Sequence, residues 1–212
     1  MNDALTLIRQ ALLSSLEAGD RIHLSLGSGG LYGQPSIPAF IGIRLWKSVV
    51  GIKPAGDRPG IATVGDGLVM LLVQDCAEKK VKFQFPYRAA PSASLGGLTQ
   101  FSYTAGALPF IFDEQVADNF FWGHFGAEIG LLVEAGERSG AVTITGTDNL
   151  TAQSIQYAAS PAPLIGEEPY LLGASLGFGS WGRVSQGFHS LLRWMIILSI
   201  LFGLLLRLSG VL

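Results

Sequence analysis

Apolar and polar positions alternate in "RIHLSLGSGG", where Ile22, Leu24 and Leu26 are set against His23 and Ser25 before the break at Gly27. A period of two marks a β-strand. Ahead of it, Leu5, Ile8, Leu12 and Leu16 recur at helical spacing, with Asn2 or Asp3 as cap and Gly19 as stop. The couplet of strand, glycine turn and helix then returns along the chain. "PGIATVGDG" precedes "LVMLLVQDCAEKK", an apolar helix whose closing lysines suit its negative end. "DNFFWGHFG" leads into "AEIGLLVEAGERSG", "AVTITGTDN" into "LTAQSIQYAAS", and "APLIGEE" into "PYLLGASL". Repeated βα units predict an α/β fold with a mostly parallel sheet flanked by helices in Rossmann-like layers. Between Phe83 and Phe112 the pattern is irregular, with Pro86, Pro91, Gly96, Gly97 and Pro109, and predicts a long loop or an insertion.

The end of the chain follows a different rule. In "LLRWMIILSILFGLLLRLSGVL", residues 191–212, only Ser199 and Gly203 interrupt the apolar run between Arg193 and Arg207. A transmembrane helix needs about 20 residues, a length reached when both arginines extend to the headgroups. Trp194 beside Arg193 suits an interfacial anchor. Upstream, Trp181, Val184, Phe188 and Leu191 or Leu192 share a helical face and predict a stretch lying along the membrane surface. The expected division is an α/β domain over 1–180, an interfacial linker over 181–190 and a C-terminal transmembrane helix over 191–212. The alternative is a buried core helix. Arg9 and the early acids spoil the N-terminal segment as a secretory signal. With Arg183 and Arg193 on one flank of the span and Arg207 on the other, this predicts a single-pass cell-membrane protein with its domain facing the cytoplasm.

Composition sharpens that picture. Charged residues are 14% of the chain and apolar ones 49%, so much of the surface is expected to face lipid or partner subunits. The net charge is −2 and the one basic cluster is "EKKVK", which argues against a nucleic-acid partner. Cys76 stands alone, excluding an intrachain disulfide, and reads as a buried small hydrophobe. The 28 glycines gather at expected turns rather than in a repeat.

In a parallel sheet the turns that follow the strands gather at the carboxyl edge, where ligands bind. That edge should carry Ser28, Gly29, Asp66, His124, Glu128, Thr147, Asp148, Asn149, Glu167 and Glu168. His124, Glu128 and Glu167 are the catalytic candidates, as base and acids; Ser28, Gly29, Asp66, Thr147, Asp148, Asn149 and Glu168 are candidate ligand contacts. A simpler role competes for most of them. Glu128 suits the positive first turn of a helix, Asp148 and Asn149 suit N-caps, and Glu167 and Glu168 precede Pro169 at a helix start.

Recognised motifs are missing. Gly27-Ser28-Gly29-Gly30 with Gly33 misses the dinucleotide spacing, since Tyr32 stands where a glycine is needed, and no Gly-Lys-Ser/Thr follows. There is no His-Glu-x-x-His, second cysteine or Gly-x-Ser-x-Gly elbow, so neither a metal nor a cofactor is indicated. His23 reads as packed inside its strand and His189 as interfacial.

The blocks "GHFGAE" at Gly123 to Glu128, Gly146-Thr147, and "LIGEE" at Leu164 to Glu168, followed by a terminal apolar helix, resemble an uncharacterised family of bacterial and archaeal membrane-tethered proteins. "RIHLSLGSGG" is similar to that family's first strand and turn. The resemblance implies one shared domain and membrane tethering, with no known activity.

Two functions are therefore expected. The first is a membrane-anchored structural subunit whose α/β domain associates with itself or with related subunits, its aromatics in "FFW" and "FQFPY" exposed for burial against partners. The second is a membrane-tethered enzyme or ligand-binding domain with an acidic site at the carboxyl edge.

Overall fold

The computed structural model describes residues 2–32, 36–52, 58–84, 92–170, 191–203 and 207. The chain divides into two units, Met1–Leu172 and Gly173–Leu212. The first unit runs α1 (Asn2–Ala18), β1 (Arg21–Gly27), α2 (Ser36–Ile52), β2 (Ile61–Val64), α3 (Gly67–Gln84), β3 (Ser92–Leu95), α4 (Gln100–Phe112), β4 (Val116–His124), α5 (Ile129–Ser139), β5 (Val142–Thr147), α6 (Leu150–Ala159) and β6 (Ala162–Leu164). All six strands are parallel, in the order β3-β2-β1-β4-β5-β6. This is the strand order of doubly wound Rossmann sheets, with the direction of winding reversing between β1 and β4. The α/β expectation holds.

Alternation within the strands sorts the helices onto two faces. Ile22, Leu24, Leu26, Phe120 and Trp122 are buried on the face of α2 and α3. There the Trp46 indole N–H donates to the Val73 carbonyl at 3.1 Å, tying α2 to α3. On this face too, the Ser15 hydroxyl of α1 donates to Asp118 of β4. The buried side of α1 is Ile8, Ala11 and Ser15, with Leu12 half-buried.

The opposite face meets α4, α5 and α6 in a cluster of Tyr103, Ala107, Ile111, Phe121, Phe125, Ile129, Leu132, Val133, Ala135 and Ala152. Its strands contribute an unusual number of buried polar groups: His23, Ser25, Thr63, Asn119, Thr143 and Thr145. Burial without hydrogen bonds would cost several kcal/mol per group, roughly 1–3 by mutational measures. A network meets most of that demand. His23 Nδ1 donates to Asn119 Oδ1 at 2.9 Å, and its Nε2 accepts from the Thr63 hydroxyl at 2.9 Å. The Tyr103 hydroxyl donates to the Thr63 carbonyl at 3.0 Å and lies 2.6 Å from the Ser25 hydroxyl. His23 is thus the packed, hydrogen-bonded histidine the pattern suggested. Burial holds its pKa down at about 4, so it is neutral at pH 7.

Several expectations need correction. The stretch from Phe83 to Phe112 is not a loop or insertion: it contains β3 and α4. The helix α2 falls where the pattern predicts no element. Phe120, Phe121 and Trp122 are not exposed for a partner but buried in β4, a central strand covered on both sides. Cys76 is half-buried on α3 rather than fully enclosed. "FQFPY", the linker 181–190 and the helix after Tyr170 lie outside the described residues or side chains.

In the second unit residues 191–203 are helical, and every side chain among them is exposed, including Trp194, Met195, Ile196, Leu198, Ile200 and Phe202. Arg193 and Arg207 are helical as well. Among the described residues no helix is long and apolar enough to cross a membrane, so a transmembrane helix over 191–212 is not supported by them.

Candidate functional site

The turns after β1 and β4 meet where the winding reverses, and two glycines set their distance. Gly27 adopts φ 72°, and a Cβ on it would sit 2.1 Å from the His124 carbonyl oxygen. A Cβ on Gly123 would sit 1.9 Å from the Leu26 carbonyl oxygen. Neither position accepts a side chain without moving backbone. The close approach carries pairing beyond the strands, with the Ser28 N–H donating to the His124 carbonyl at 3.0 Å.

This places Ser28 beside His124, as the topology demanded. His124 Nδ1 lies 2.8 Å from Asp148 Oδ1, with both side chains partly buried. A carboxylate on Nδ1 fixes the neutral ring as the Nδ1–H tautomer and leaves Nε2 as an acceptor, the orientation used by general bases. Asn149, not Asp148, is the N-cap of α6: its Oδ1 accepts the Thr151 N–H at 2.9 Å. The Thr147 hydroxyl accepts the N–H of Phe125 at 3.3 Å and of Asn149 at 3.4 Å, joining the β4 and β5 turns.

Glu128 points the other way, toward α4. It is 1% exposed, and its Oε1 accepts the Gly126 N–H at 2.8 Å. Its Oε2 is buried with no hydrogen-bond partner. A Cβ added to Gly126 would lie 2.7 Å from that Oε2 and 2.6 Å from Gln100 Nε2. The carboxylate and the Gln100 amide therefore close over the Gly126 Cα and leave no room for a side chain there. A buried unpaired carboxylate oxygen is costly, and such atoms mark sites where another group belongs.

The remaining candidates separate. Asp66 Oδ1 accepts the Val69 N–H at 2.9 Å and caps α3. Glu168 Oε2 turns back to the Ile165 N–H at 3.2 Å, while the neighbouring Glu167 side chain is exposed. Around them, Pro169 packs against the space over Gly146, and Gln153 bridges the Thr147 carbonyl, at 2.9 Å, and the Gly166 N–H, at 3.2 Å. The blocks Gly123 to Glu128, Gly146-Thr147 and Leu164 to Glu168 thus converge on one edge.

Five residues at this edge escape a sequence reading. Gln100 and Tyr103 enter from α4, inside the stretch read as a loop; Tyr103 also accepts the Gly27 N–H at 3.2 Å. Gln153 with Gln156, three apart on the buried side of α6, is a pattern that could have been noticed. Tyr170 lies near Asp148: partial burial first, then the Asp148 charge, raises its pKa above the ordinary value. Among the described residues no group of three His, Cys, Asp or Glu side chains is placed to hold a metal ion.

Fold and edge together define a doubly wound α/β domain with its polar residues gathered at the β1/β4 reversal. The chain belongs to a family described as a domain of unknown function (DUF6754), whose model matches residues 89–208, more than half of the chain. No curated protein matches the chain. No solved structure matches it either.

Proposed function

We propose that the protein is a ligand-binding domain held at a membrane, with its ligand at the carboxyl edge between the turns of β1 and β4. One observation carries this reading: at the reversal point of the sheet, the five-residue turn from His124 to Glu128 holds both the His124–Asp148 pair and a buried, unpaired carboxylate oxygen. Capping explains Asp66, Asn149 and Glu168. It explains neither of those two features. Ser28, Gly29 and Thr147 line the same turns, and His124 is the group suited to proton transfer should the ligand be a substrate. The test is thermal unfolding of the full-length protein in detergent against small molecules grouped by charge. At least one group should raise the melting temperature by several degrees, and His124→Ala should remove that response. No response from any group, or an undiminished response in the variant, would overturn the reading.

Membrane attachment rests on the exposed apolar side chains of 191–203, which water does not favour. In this proposal the run to Leu212 enters lipid, Arg193, Trp194 and Arg207 sit at its interfaces, and the α/β unit lies on the cytoplasmic side with Arg193. Flotation with liposomes checks it: the full-length chain should float and a chain lacking 191–212 should not.

A second reading, an assembly subunit associating with itself or with related subunits, is favoured by Ile37 and Phe40 of α2 and by Leu68 and Leu71 of α3. All four are exposed on packed neighbouring helices. Sedimentation of the detergent-solubilised protein should then give an oligomer that Phe40→Glu dissociates.

A further inference from the structure

Among the described residues of the first unit, the five most exposed large apolar side chains are Tyr32, Leu150, Tyr157, Leu98 and Phe101. Four of them stand at the carboxyl edge. Tyr32, 90% exposed, is in the turn after β1, and Leu150, 81% exposed, opens α6 after β5. Leu98, 73% exposed, is in the turn after β3, and Phe101, 66% exposed, is in the first turn of α4. Leu68, the second residue of α3 after β2, is exposed as well. These residues are spread along the edge from β3 to β5 in the order β3-β2-β1-β4-β5. Four strand spacings of roughly 4.8 Å make that span about 20 Å. Toward the opposite edge, Leu13 of α1, Phe112 at the end of α4 and Val142 at the start of β5 are each less than half exposed.

The turns that carry the apolar side chains also carry polar ones, Ser28, Thr99, Asp148 and Asn149. A protein interface gathers its apolar side chains into one desolvated centre with a polar rim. A headgroup layer instead accepts apolar and aromatic side chains singly, each between polar groups. No Lys or Arg occurs in 28–32, 65–66, 96–99, 125–128, 148–149 or 165–168, so basic attraction to anionic lipid has no foothold in these turns. Asp66 is engaged with the Val69 N–H and Asp148 with His124, and Glu128 is buried. The chain also departs from this edge. Tyr170, the last residue described before the exposed apolar helix at 191–203, follows β6.

Resting on the membrane attachment proposed above, we infer that the carboxyl edge is a lipid-docking surface. Tyr32, Leu98, Phe101 and Leu150 insert among the headgroups of the bilayer that holds the tail. Apolar insertion, and not charge, keeps the edge there. The β1/β4 reversal lies inside the span of these residues, so the ligand reaches it along the headgroup layer.

Nitroxide labels on the full-length protein in phosphatidylcholine nanodiscs test this. With Cys76→Ser as background, single labels are placed at Tyr32→Cys, Leu98→Cys and Leu150→Cys, and at Leu13→Cys and Phe112→Cys for comparison. Labels at 32, 98 and 150 should collide with dissolved oxygen several-fold more, relative to a water-soluble nickel chelate, than labels at 13 and 112. Raising the salt should leave that pattern unchanged. Leu98→Asp combined with Leu150→Asp, both at exposed positions, should return the label at 32 to water while the protein still floats with liposomes. Labels at 32, 98 and 150 that are as aqueous as those at 13 and 112, in a protein that floats, would overturn the docking and leave the attachment standing. Labels shielded from both reagents would mark a protein partner at this edge and overturn it too. A full-length chain that does not float removes the attachment and the docking together, and the thermal screen still decides the ligand site separately.

Discussion

His124 Nδ1, on the last residue of β4, lies 2.8 Å from Oδ1 of Asp148, the residue after β5. Two adjacent parallel strands thus deliver an oriented imidazole to the point where the sheet's winding reverses. Asp148 also acts on Tyr170, whose pKa it helps to raise. Asp148→Asn should lower the Tyr170 pKa part of the way, because burial, the larger cause, persists. Ultraviolet titration of tyrosinate in parent and variant would check this. The lost charged hydrogen bond should cost about 1 kcal/mol of stability.

His23 predicts an acid limb in stability. Its folded pKa of about 4 lies below the ordinary 6.5, so between those values the unfolded chain takes up a proton that the folded chain refuses. This contribution is complete above about pH 6.5 and is lost as pH falls toward 4, reaching about 3 kcal/mol there. Urea unfolding from pH 4.5 to 7 should show a shallower slope for His23→Gln than for the parent. Equal slopes would mean that His23 is not held neutral.

The glycine contacts at the reversal point make a contrast between two substitutions. Gly123→Ala drives a Cβ to 1.9 Å from the Leu26 carbonyl and should cost more than about 3 kcal/mol. Gly67→Ala, with nothing within 4 Å at the start of α3, should lie within about 1 kcal/mol of the parent, on the stabilising side. Calorimetric melting of both proteins measures the difference.

The strands β1, β2, β4, β5 and β6 were legible because each ends on a glycine or acidic turn, although the helix α2 after β1 was not. The third βα unit was not, for a physical reason. Gly96 and Gly97 read as loop signals, yet a Cβ on Gly106 of α4 would fall 2.0 Å from the Gly96 carbonyl oxygen. The glycine is there to bring α4 against the end of β3, and tertiary contact of that kind leaves no periodic trace. Pro109 misled similarly, since it sits inside α4, four residues before the Asp113 N–H that its carbonyl accepts. The same limit hid the site's details. Topology placed Ser28, Asp66, His124, Glu128 and Asp148 on one edge, but the division of labour between Asp148 and Asn149 depends on which side chain faces β4. Glu128 looked like a helix-start carboxylate, and only its burial distinguishes it. "FFW" looked exposed because alternation is silent in a strand covered on both faces.

The claim that the carboxyl edge is the functional centre is tested most directly by backbone hydrogen–deuterium exchange. The full-length protein in lipid nanodiscs would be compared with and without the fraction of a cell extract below about 1 kDa, well under the size of a protein partner. Slowed exchange confined to residues 27–30, 123–128 and 147–149 is the predicted result. Unchanged exchange in those turns, or protection only along α2 and α3, would contradict it.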